Sequence, residues 1–355
     1  MTMQIPKKVL ESYDIGKIRR VKAVTDGLVH QTFALEADSG KYILQRLHSA
    51  LASQAIAQDF LAVTAYLKEH DFPTPEPVLV RSGTLLVSGE GTWRMQTRLS
   101  GKTVHIMTSI SMAREAGEIY ARLHRVLDPM KYTFKAKKLL HETRKIYNRF
   151  LGEIRRPKNT SLLDDAKAEI EFIQEWMPQY FLPSNLPKRV IHGDPKVSNI
   201  LFDTKGRAKA IIDLDTCNRR PLLVELGDAF RSWCGGAEDD LKNKFNLTTF
   251  RSAWAGYKEG AGDLMTHREV ELVPQSIGTI TLELATRFLT DYFTDNYFGW
   301  DESRYESRRA HNLARCRGQI AEFLDYQKKL PKIEKIVGGE VIWERSRNGM
   351  GGVLR

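Results

Sequence analysis

The sequence predicts an α+β fold built from two unequal lobes. Its 355 residues exceed the ~250 to 300 residues at which a single hydrophobic core stops growing. Before residue 99, apolar and polar residues alternate as in antiparallel strands, whereas later segments carry apolar residues at helical spacing. We therefore expect a small β lobe over 1–98, a large helical lobe over 99–330 and a C-terminal extension over 331–355.

The small lobe is predicted to be an antiparallel sheet with one helix. In "QTFALEADSGKYILQRL" the turn residues Asp38, Ser39 and Gly40 separate two strand-like runs, which indicates a hairpin. From Ser53 to His70 the apolar residues recur with helical period, and prolines follow. The runs "PVLVRSGTLLVSG" and "TWRMQTRL" predict the remaining strands.

The large lobe is predicted to be mainly helical, with one strand pair. That pair is Ile200 to Phe202 and Ala208 to Ile212, joined by a turn at Asp203 to Gly206. The helical patterns cover 110–128, 137–155, 162–177, 248–260, 275–294 and 308–329.

Composition argues against several classes of protein. No run approaches the ~18 apolar residues of a membrane span, and the charged start of the chain does not resemble a signal peptide, so we expect a cytoplasmic protein. The net charge of +10 favours anionic ligands, but it is spread along the chain without a basic stripe interleaved with aromatic residues. We therefore expect no nucleic-acid binding, no membrane association and no obligate protein partner.

The strand pair of the large lobe is flanked by polar residues in "IHGDPKVSNILFDTKGRAKAIIDLDT". If Asn199 precedes the first strand and Asp213 follows the second, antiparallel pairing brings them roughly 5 Å apart. Amide and carboxylate oxygens suit Mg²⁺, which completes its coordination with water and phosphate oxygens. Asn and Asp are also common turn formers, so a purely structural role is the alternative.

The loop before the first strand adds groups suited to phosphoryl transfer. Asp194 could orient a hydroxyl group and accept its proton, and Lys196 could offset negative charge on the transferred phosphoryl group. Asp215 could contact a second metal ion or cap the loop that follows. For His192 we expect support of the loop backbone instead of chemistry.

These motifs resemble those of a known superfamily. "HGDPKVSN" resembles the HxDxxxxN catalytic loop of the aminoglycoside phosphotransferase and choline kinase superfamily, and "IIDLD" resembles its metal-binding strand end. The resemblance implies a bilobal protein-kinase-like fold whose small lobe binds ATP. It also implies that Asp194 is the catalytic base and that Asn199 and Asp213 bind Mg²⁺.

Three later stretches, "LLVELGDAFRSW", "ELATRFLTDYFTDNYF" and "HNLARCRGQ", are similar to the N-acetylhexosamine 1-kinase branch, so the resemblance runs from about residue 20 to about residue 328. It implies that Arg287 and Tyr297 contact a sugar. From the residues alone, Arg287 could instead pair with Asp291 one turn later, and Tyr297 could be a packing residue. Asp228 could face the acceptor or brace the nearby Arg231.

The nucleotide side departs from the kinase pattern. "TDGLVHQTF" offers one glycine in place of a glycine-rich loop, and Leu28 stands where the resembling branch has a sugar-contacting histidine. Arg46 could replace the strand lysine of kinases if its side chain faces the cleft; otherwise it is a solvated strand residue. The candidates for nucleotide binding are Gly27, His30, Gln31, Thr32, Arg46 and Gln96.

Together these features predict transfer of the γ-phosphoryl group of ATP, with Mg²⁺, to a sugar hydroxyl, which we expect to be the anomeric hydroxyl of an N-acetylhexosamine or related hexose. One alternative is a kinase for aminoglycosides, choline or another amino alcohol, although the positive net charge argues against cationic acceptors. The other is a nucleotide-binding scaffold without turnover, suggested by the reduced glycine loop. Retention of Asp194, Asn199 and Asp213 argues against the scaffold.

Overall fold

The two-lobed α+β fold is confirmed by a computed structural model, which describes residues 5–24, 30–137 and 141–338. An antiparallel sheet forms the small lobe, and helices form most of the large lobe. Within the described ranges, every helix is too short or too polar to cross a lipid bilayer.

The sheet of the small lobe has the strand order β1-β2-β3-β6-β4, with β5 also paired to β6, and every pairing is antiparallel. The hairpin predicted around Asp38 is confirmed, because Ala37 pairs with Gly40. The predicted helix is also confirmed, and the Ser53 hydroxyl caps it by accepting the backbone N–H of Ile56. The elements of this lobe are α1 (Lys7–Glu11), β1 (Ile18–Val24), β2 (Gln31–Ala37), β3 (Gly40–Arg46), α2 (Gln54–Glu69), β4 (Pro77–Val78), β5 (Val87–Ser88) and β6 (Thr92–Thr97).

The large lobe contains eight α-helices and two strand pairs in its described part. Strand β7 (Lys188–Ile191) pairs with β10 (Asn218–Pro221), and β8 (Ile200–Phe202) pairs with β9 (Ala208–Ile211). The second pair is the predicted hairpin. The helices are α3 (Ile110–Leu127), α4 (Thr143–Ile154), α5 (Lys167–Trp176), α6 (Leu222–Cys234), α7 (Leu247–Ala261), α8 (His267–Glu271), α9 (Val273–Thr294) and α10 (Arg308–Gly338).

The sequence patterns did not predict every element of the large lobe. Helix α6 was missed because nearly all of its residues are buried, so it shows no amphipathic period. The helix predicted over 162–177 was wrong at its start, where short 3-10 turns precede α5. Pairing of β7 with β10 was also missed, since the two strands are distant in sequence and short.

Two hydrophobic cores lie on the two sides of the sheet. Trp93 and Leu44 belong to the small-lobe core, whereas Phe60 and Val63 of α2 belong to the core of the large lobe. The opposite face of the sheet therefore faces α2 and the large lobe. The boundary expected at residue 330 falls inside α10, whose last buried residue, Val337, still packs in the large-lobe core.

Candidate active site

The loop after β7 is held by helix α6. The Glu225 carboxylate accepts the backbone N–H groups of His192 at 2.9 Å and of Gly193 at 2.7 Å. Gly193 has φ +84°, and a Cβ atom there would lie 2.6 Å from the carbonyl oxygen of Thr216. Only glycine fits this position without strain, so the backbone of the loop has a single well-defined path.

His192 supports this loop, as the sequence indicated. Its Nδ1 accepts the backbone N–H of Asp194 at 3.2 Å, so the ring proton is on Nε2, which donates to the carbonyl oxygen of Ile212 at 2.9 Å. The imidazole thereby joins the loop to the end of β9. Both ring nitrogens are occupied by hydrogen bonds to the backbone, so neither is left to transfer a proton.

Three predicted site residues meet at the Asp194 carboxylate. Lys196 Nζ donates to Asp194 Oδ2 at 2.6 Å, and Asn199 Nδ2 donates to the same oxygen at 3.1 Å and to the Asp194 carbonyl oxygen at 2.8 Å. Desolvation raises the pKa of Asp194, but the charge and hydrogen bond of Lys196 and the hydrogen bond of Asn199 outweigh it and hold the pKa below its usual value. Asp194 is therefore an anion at neutral pH, and Oδ1 receives no hydrogen bond from the described residues.

Asn199 and Asp213 lie at the same end of the β8–β9 hairpin, as the pairing argument predicted. The Ile212 N–H donates to the Asn199 carbonyl oxygen at 3.0 Å, which places the residues flanking the two strands side by side. Asp213 has φ +66° and ψ +55°, a left-handed conformation that Asp tolerates better than most residues. Desolvation and the neighbouring Asp215 carboxylate raise its pKa, although Lys196 acts in the opposite direction.

The donor chemistry of this pair fits Mg²⁺. The Asn199 amide nitrogen is committed to Asp194, which leaves its Oδ1 oxygen for a cation. The Asp213 carboxylate is near other carboxylates and lacks a hydrogen-bond donor among the described residues, so a divalent ion would relieve its charge.

Asp215 forms a buried ion pair with Arg94, a residue that the sequence reasoning did not select. Arg94 Nη2 donates to Asp215 Oδ2 at 2.7 Å, and Nη1 donates to Oδ1; the exposed fractions of the two residues are 2 % and 1 %. Desolvation raises the pKa of Asp215, but Arg94 and His30 outweigh it and hold the pKa well below its usual range. The pair joins β6 of the small lobe to the end of the β8–β9 hairpin in the large lobe.

His30 completes this contact. Its Nδ1 accepts the backbone N–H of His48 at 3.1 Å, so Nε2 carries the proton and donates to Asp215 Oδ2 at 3.2 Å. Ligand atoms of His30, Asp213 and Asp215 lie within 4.8 Å of one another, a spacing that a metal ion could use. Arg94 already neutralises both oxygens of Asp215, however, so in this structure Asp215 and His30 act as links between the lobes.

The strand pairing shows that two of the residues predicted to bind the nucleotide lie on the wrong face of the sheet. Gln31, Arg46 and Trp93 are successive cross-strand partners, and Trp93 lies in the small-lobe core. Partners that lie directly opposite each other share a face, so Gln31 and Arg46 lie on the face away from Asp215. Arg46 Nη1 donates to Gln31 Oε1 at 3.3 Å on that face. The prediction that these two side chains face the nucleotide was therefore wrong.

The cation on the cleft face comes from β6 instead of β3. Thr32, Gln45 and Arg94 are successive partners on this face, and Gln96 follows Arg94 two residues later on the same side. Gln45 Oε1 accepts Arg94 Nε at 3.0 Å and Nη2 at 2.9 Å, and the guanidinium carbon lies 4.5 Å from the centre of the Phe60 ring. Thr32 and Gln96 thus lie on the cleft face, and their contact with a nucleotide stays a prediction. Gly27 lies outside the described residues.

Asp228 fills one of the two roles that the sequence left open, and contact with the acceptor stays a prediction. Its Oδ1 accepts Arg231 Nε at 3.0 Å and Nη2 at 2.8 Å, so it braces that side chain. Its charge also contributes, after Asp194 and Asp213, to a pKa of Lys196 that lies above the usual value despite the opposing effect of burial. Asp228 is therefore part of the electrostatic surroundings of the catalytic loop.

The alternative in which Arg287 pairs with Asp291 is wrong. The Asp291 carboxylate instead accepts the backbone N–H groups of Asn296, Tyr297 and Phe298 at 2.8 to 3.0 Å. Half-buried Arg287 lies 5.5 Å from the centre of the Phe298 ring, and none of its nitrogens comes within 4.0 Å of a carboxylate oxygen of the described residues. Tyr297 is 62 % exposed, and its ring packs against Phe298.

A loop carboxylate, an adjacent amide and carboxylate suited to a metal ion, and a small β lobe facing them define the class of protein as a phosphotransferase with a kinase-like fold. Comparison with known families agrees with this class. Residues 20–259 match the model of the phosphotransferase enzyme family (APH), and the chain belongs to this family. The resemblance to aminoglycoside phosphotransferases and choline kinases is thus confirmed, whereas the N-acetylhexosamine 1-kinase branch stays a prediction.

Individual relatives are distant. The chain is 26 % identical over 261 residues to the homoserine kinase of Caulobacter vibrioides (strain NA1000 / CB15N), covering 73 % of this chain and 78 % of that protein. Its fold is similar to that of a microcompartment-associated aminopropanol kinase, with TM-score 0.63, 15 % identity and coverage of 92 % and 97 %. It is also similar to an amicoumacin kinase solved with AMP-PNP, Ca²⁺ and Ami, with TM-score 0.62, 14 % identity and coverage of 88 % and 91 %.

Proposed function

We propose that this protein is an ATP-dependent kinase that phosphorylates a sugar hydroxyl, namely the anomeric hydroxyl of an N-acetylhexosamine or related hexose, in the cytoplasm. The observation that carries the proposal is the convergence of Asp194, Asn199 and Asp213 at one end of the β8–β9 hairpin, facing the small lobe.

Asp194 is the group that meets the acceptor hydroxyl. Lys196 and Asn199 occupy its Oδ2, so Oδ1 remains to accept a hydrogen bond from the hydroxyl. The depressed pKa makes Asp194 a weak base but keeps it ionised. In the loose transition state of phosphoryl transfer, the attacking hydroxyl loses its proton late, so alignment by an ionised carboxylate contributes more than early deprotonation. Lys196 offsets charge on the transferred group.

Asn199 and Asp213 would hold Mg²⁺, which when bound neutralises the phosphate oxygens of the nucleotide. The presence of AMP-PNP and Ca²⁺ in the amicoumacin kinase supports ATP and a divalent ion as cofactors here. Thr32 and Gln96 line the nucleotide side of the cleft from the sheet.

Arg287 supports an acceptor rich in oxygen. A half-buried guanidinium without a carboxylate partner among the described residues is costly unless a ligand supplies acceptor atoms. Sugar hydroxyls and an acetamido carbonyl are such acceptors. Asp228, whose Oδ2 has no hydrogen-bond donor in the described structure, would receive a hydroxyl group of the same sugar, and Tyr297 would border the pocket.

A second candidate function is phosphorylation of an amino alcohol. It is favoured by the relatives, because a homoserine kinase and an aminopropanol kinase are among the proteins that this chain resembles. In that case Asp228 would pair with the ammonium group of the acceptor. The two candidates share the catalytic loop and differ in the charge of the acceptor.

A coupled assay of ADP release would decide between them, with N-acetylhexosamines, hexoses, homoserine, aminopropanol and choline as acceptors. We expect turnover with a sugar and a loss of at least ~100-fold in Asp194→Asn. The exposed Asp263→Asn serves as the matched control and should retain full activity. Absence of ADP release with every acceptor would contradict the proposed kinase activity. Preference for an amino alcohol would support the second candidate function.

A further inference from the structure

A buried histidine beside Asp228 has one nitrogen without a partner. His141 precedes α4, has φ +54° and is 8 % exposed. Its Nδ1 lies 3.1 Å from Glu283 Oε1 on α9, and since an ionised carboxylate only accepts, Nδ1 donates this bond. Its Nε2 is buried, lacks a hydrogen bond in the described part of the chain, and lies 4.0 Å from Asp228 Oδ2.

A packing role explains only half of this arrangement. Glu283 also accepts a hydrogen bond from the Thr143 hydroxyl, so its two oxygens hold the imidazole and the start of α4 in place. That accounts for Nδ1. It does not account for Nε2, because a buried polar atom without a hydrogen-bond partner is costly and is uncommon in native proteins. Nε2 therefore still requires a partner beyond the described residues, and a group of a bound ligand can supply it.

The charges around His141 favour a proton on Nε2. Burial lowers the pKa of His141, but the carboxylates of Glu283 and Asp228 outweigh burial and the opposing Arg287, so the pKa is raised above its usual value. A protonated imidazole donates from both nitrogens. Nε2 thus presents a donor next to Asp228 Oδ2, which presents an acceptor.

The gap between these two atoms fits one hydroxyl group. A distance of 4.0 Å is too long for a direct hydrogen bond, but an oxygen atom can lie about 2.8 Å from both ends at once. A hydroxyl would donate to Asp228 Oδ2 and accept from His141 Nε2. An ammonium group only donates, so it would leave Nε2 without a partner and would lie beside a like charge.

The pair also belongs to the acceptor side of the cleft. Asp228 contributes to the raised pKa of Lys196 in the catalytic loop, and Arg287 is near enough to act on His141. Lys196, Asp228, His141 and Arg287 therefore form one continuous set of polar groups.

We propose that His141 and Asp228 form a subsite for one hydroxyl group of the acceptor and that this subsite selects sugars over amino alcohols. The inference rests on the proposed kinase function and specifies its acceptor class. His141 acts as a specificity-determining residue, and Glu283 acts as the positioning residue that fixes its ring.

The first test compares two substitutions of His141. Asn tolerates the left-handed backbone, and its amide can still donate to Glu283, so His141→Asn removes mainly the Nε2 function. Gln places an amide nearer to the Nε2 position. We expect His141→Asn to raise the KM for the sugar about tenfold, as for loss of one hydrogen bond to a charged group, with a smaller effect in His141→Gln. The KM for ATP should not change, and the exposed His70→Asn is the control.

The second test uses deoxygenated sugars. For the wild type, removal of one particular hydroxyl from the sugar should raise the KM about tenfold. In His141→Asn, removal of the same hydroxyl should not raise the KM further, because the hydrogen bond to Nε2 is already lost. Additive effects at every position would overturn the subsite, since a merely structural histidine would weaken all analogues equally.

The outcomes separate this inference from the proposed function. Turnover of sugars with a KM that is unchanged in both His141 variants would overturn the subsite and leave the kinase intact. Wild-type preference for homoserine or aminopropanol would overturn the selection for sugars, again without affecting kinase activity. If His141→Asn fails to fold, as judged by its thermal unfolding, His141→Gln and the deoxy series decide the question.

Discussion

The guanidinium of Arg94 in the small lobe donates to both carboxylate oxygens of Asp215 in the large lobe, across a sequence separation of 121 residues. Both side chains are buried, so the pair is screened little by solvent or salt. Such a pair is costly to form and still more costly to break on one side only. The relative position of the sheet and the β8–β9 hairpin therefore depends on it.

Truncation of Arg94 should destabilise the protein strongly. Arg94→Ala leaves Asp215 buried, with His30 as its remaining side-chain donor among the described residues, and we expect a loss of about 3 to 5 kcal/mol in the free energy of unfolding, measured by chemical denaturation. Arg19→Ala is the control, because Arg19 forms an exposed ion pair with Asp38 at 2.6 Å. Its loss should stay within about 1 kcal/mol. Equal effects of the two substitutions would contradict the account of the buried pair.

Neutralising Asp213 should have opposite effects on stability and activity. The raised pKa of Asp213 means that the folded state holds the proton more tightly than the unfolded state, so the stability contribution is greatest at low pH and is lost as pH rises through the folded pKa. At neutral pH, Asp213→Asn removes this penalty and should raise the unfolding temperature in EDTA while abolishing turnover.

The same variant should lose the stabilisation that Mg²⁺ and AMP-PNP give to the wild type. Asp295→Asn is the matched control, since Asp295 has a similar left-handed conformation with φ +54° but lies at the end of α9. Thermal unfolding with and without the ligands measures the difference. A ligand-induced shift in Asp213→Asn equal to that of the wild type would exclude Asp213 as a metal ligand.

Removing the guanidinium of Arg287 should weaken acceptor binding. Arg287→Met keeps an apolar stem against Phe298 and should raise the KM for the acceptor about 10- to 100-fold, the range for hydrogen bonds made by a charged donor. The KM for ATP should be unaffected. Arg144→Met is the control, because Arg144 also lies over an aromatic ring, Phe181, at 4.2 Å. Steady-state kinetics in which both variants behave alike would argue against acceptor contact.

A methyl group at Gly193 should disturb the catalytic loop. Gly193→Ala combines a positive φ with a Cβ atom 2.6 Å from the Thr216 carbonyl oxygen, whereas Gly262→Ala has φ +58° and no atom within 4 Å. Both lose about 1 kcal/mol from backbone conformation, and we expect Gly193→Ala to lose about 1 to 3 kcal/mol more from overpacking. Denaturation of the two variants measures this difference. Equal losses of stability in the two variants would contradict the prediction, because they would show that the contact with the Thr216 carbonyl oxygen causes no destabilisation.

Features that are local along the chain could be predicted from short-range sequence patterns. Asp194 and Asn199 are five residues apart in one loop, and Asn199 and Asp213 flank a hairpin, so strand pairing alone brings them together. The hairpin of β2 and β3 and the amphipathic helix α2 were likewise readable from short-range patterns. If Asn199 and Asp213 were only turn formers, the hydrogen bond that the Asn199 side-chain amide donates to the Asp194 carboxylate would have no explanation.

Contacts between side chains that are distant in sequence could not be predicted and are visible only in the folded protein. The face of Arg46 depends on strand register, and a shift of one residue exchanges the two faces, so the pattern could not tell Arg46 from Gln45. Arg94 and His141 gain their roles from partners more than 80 residues away, Asp215 and Asp228. Such contacts form when the lobes pack together and both partners lose contact with water. The spacing of residues along the chain contains no information about this packing, so the contacts cannot be predicted from it.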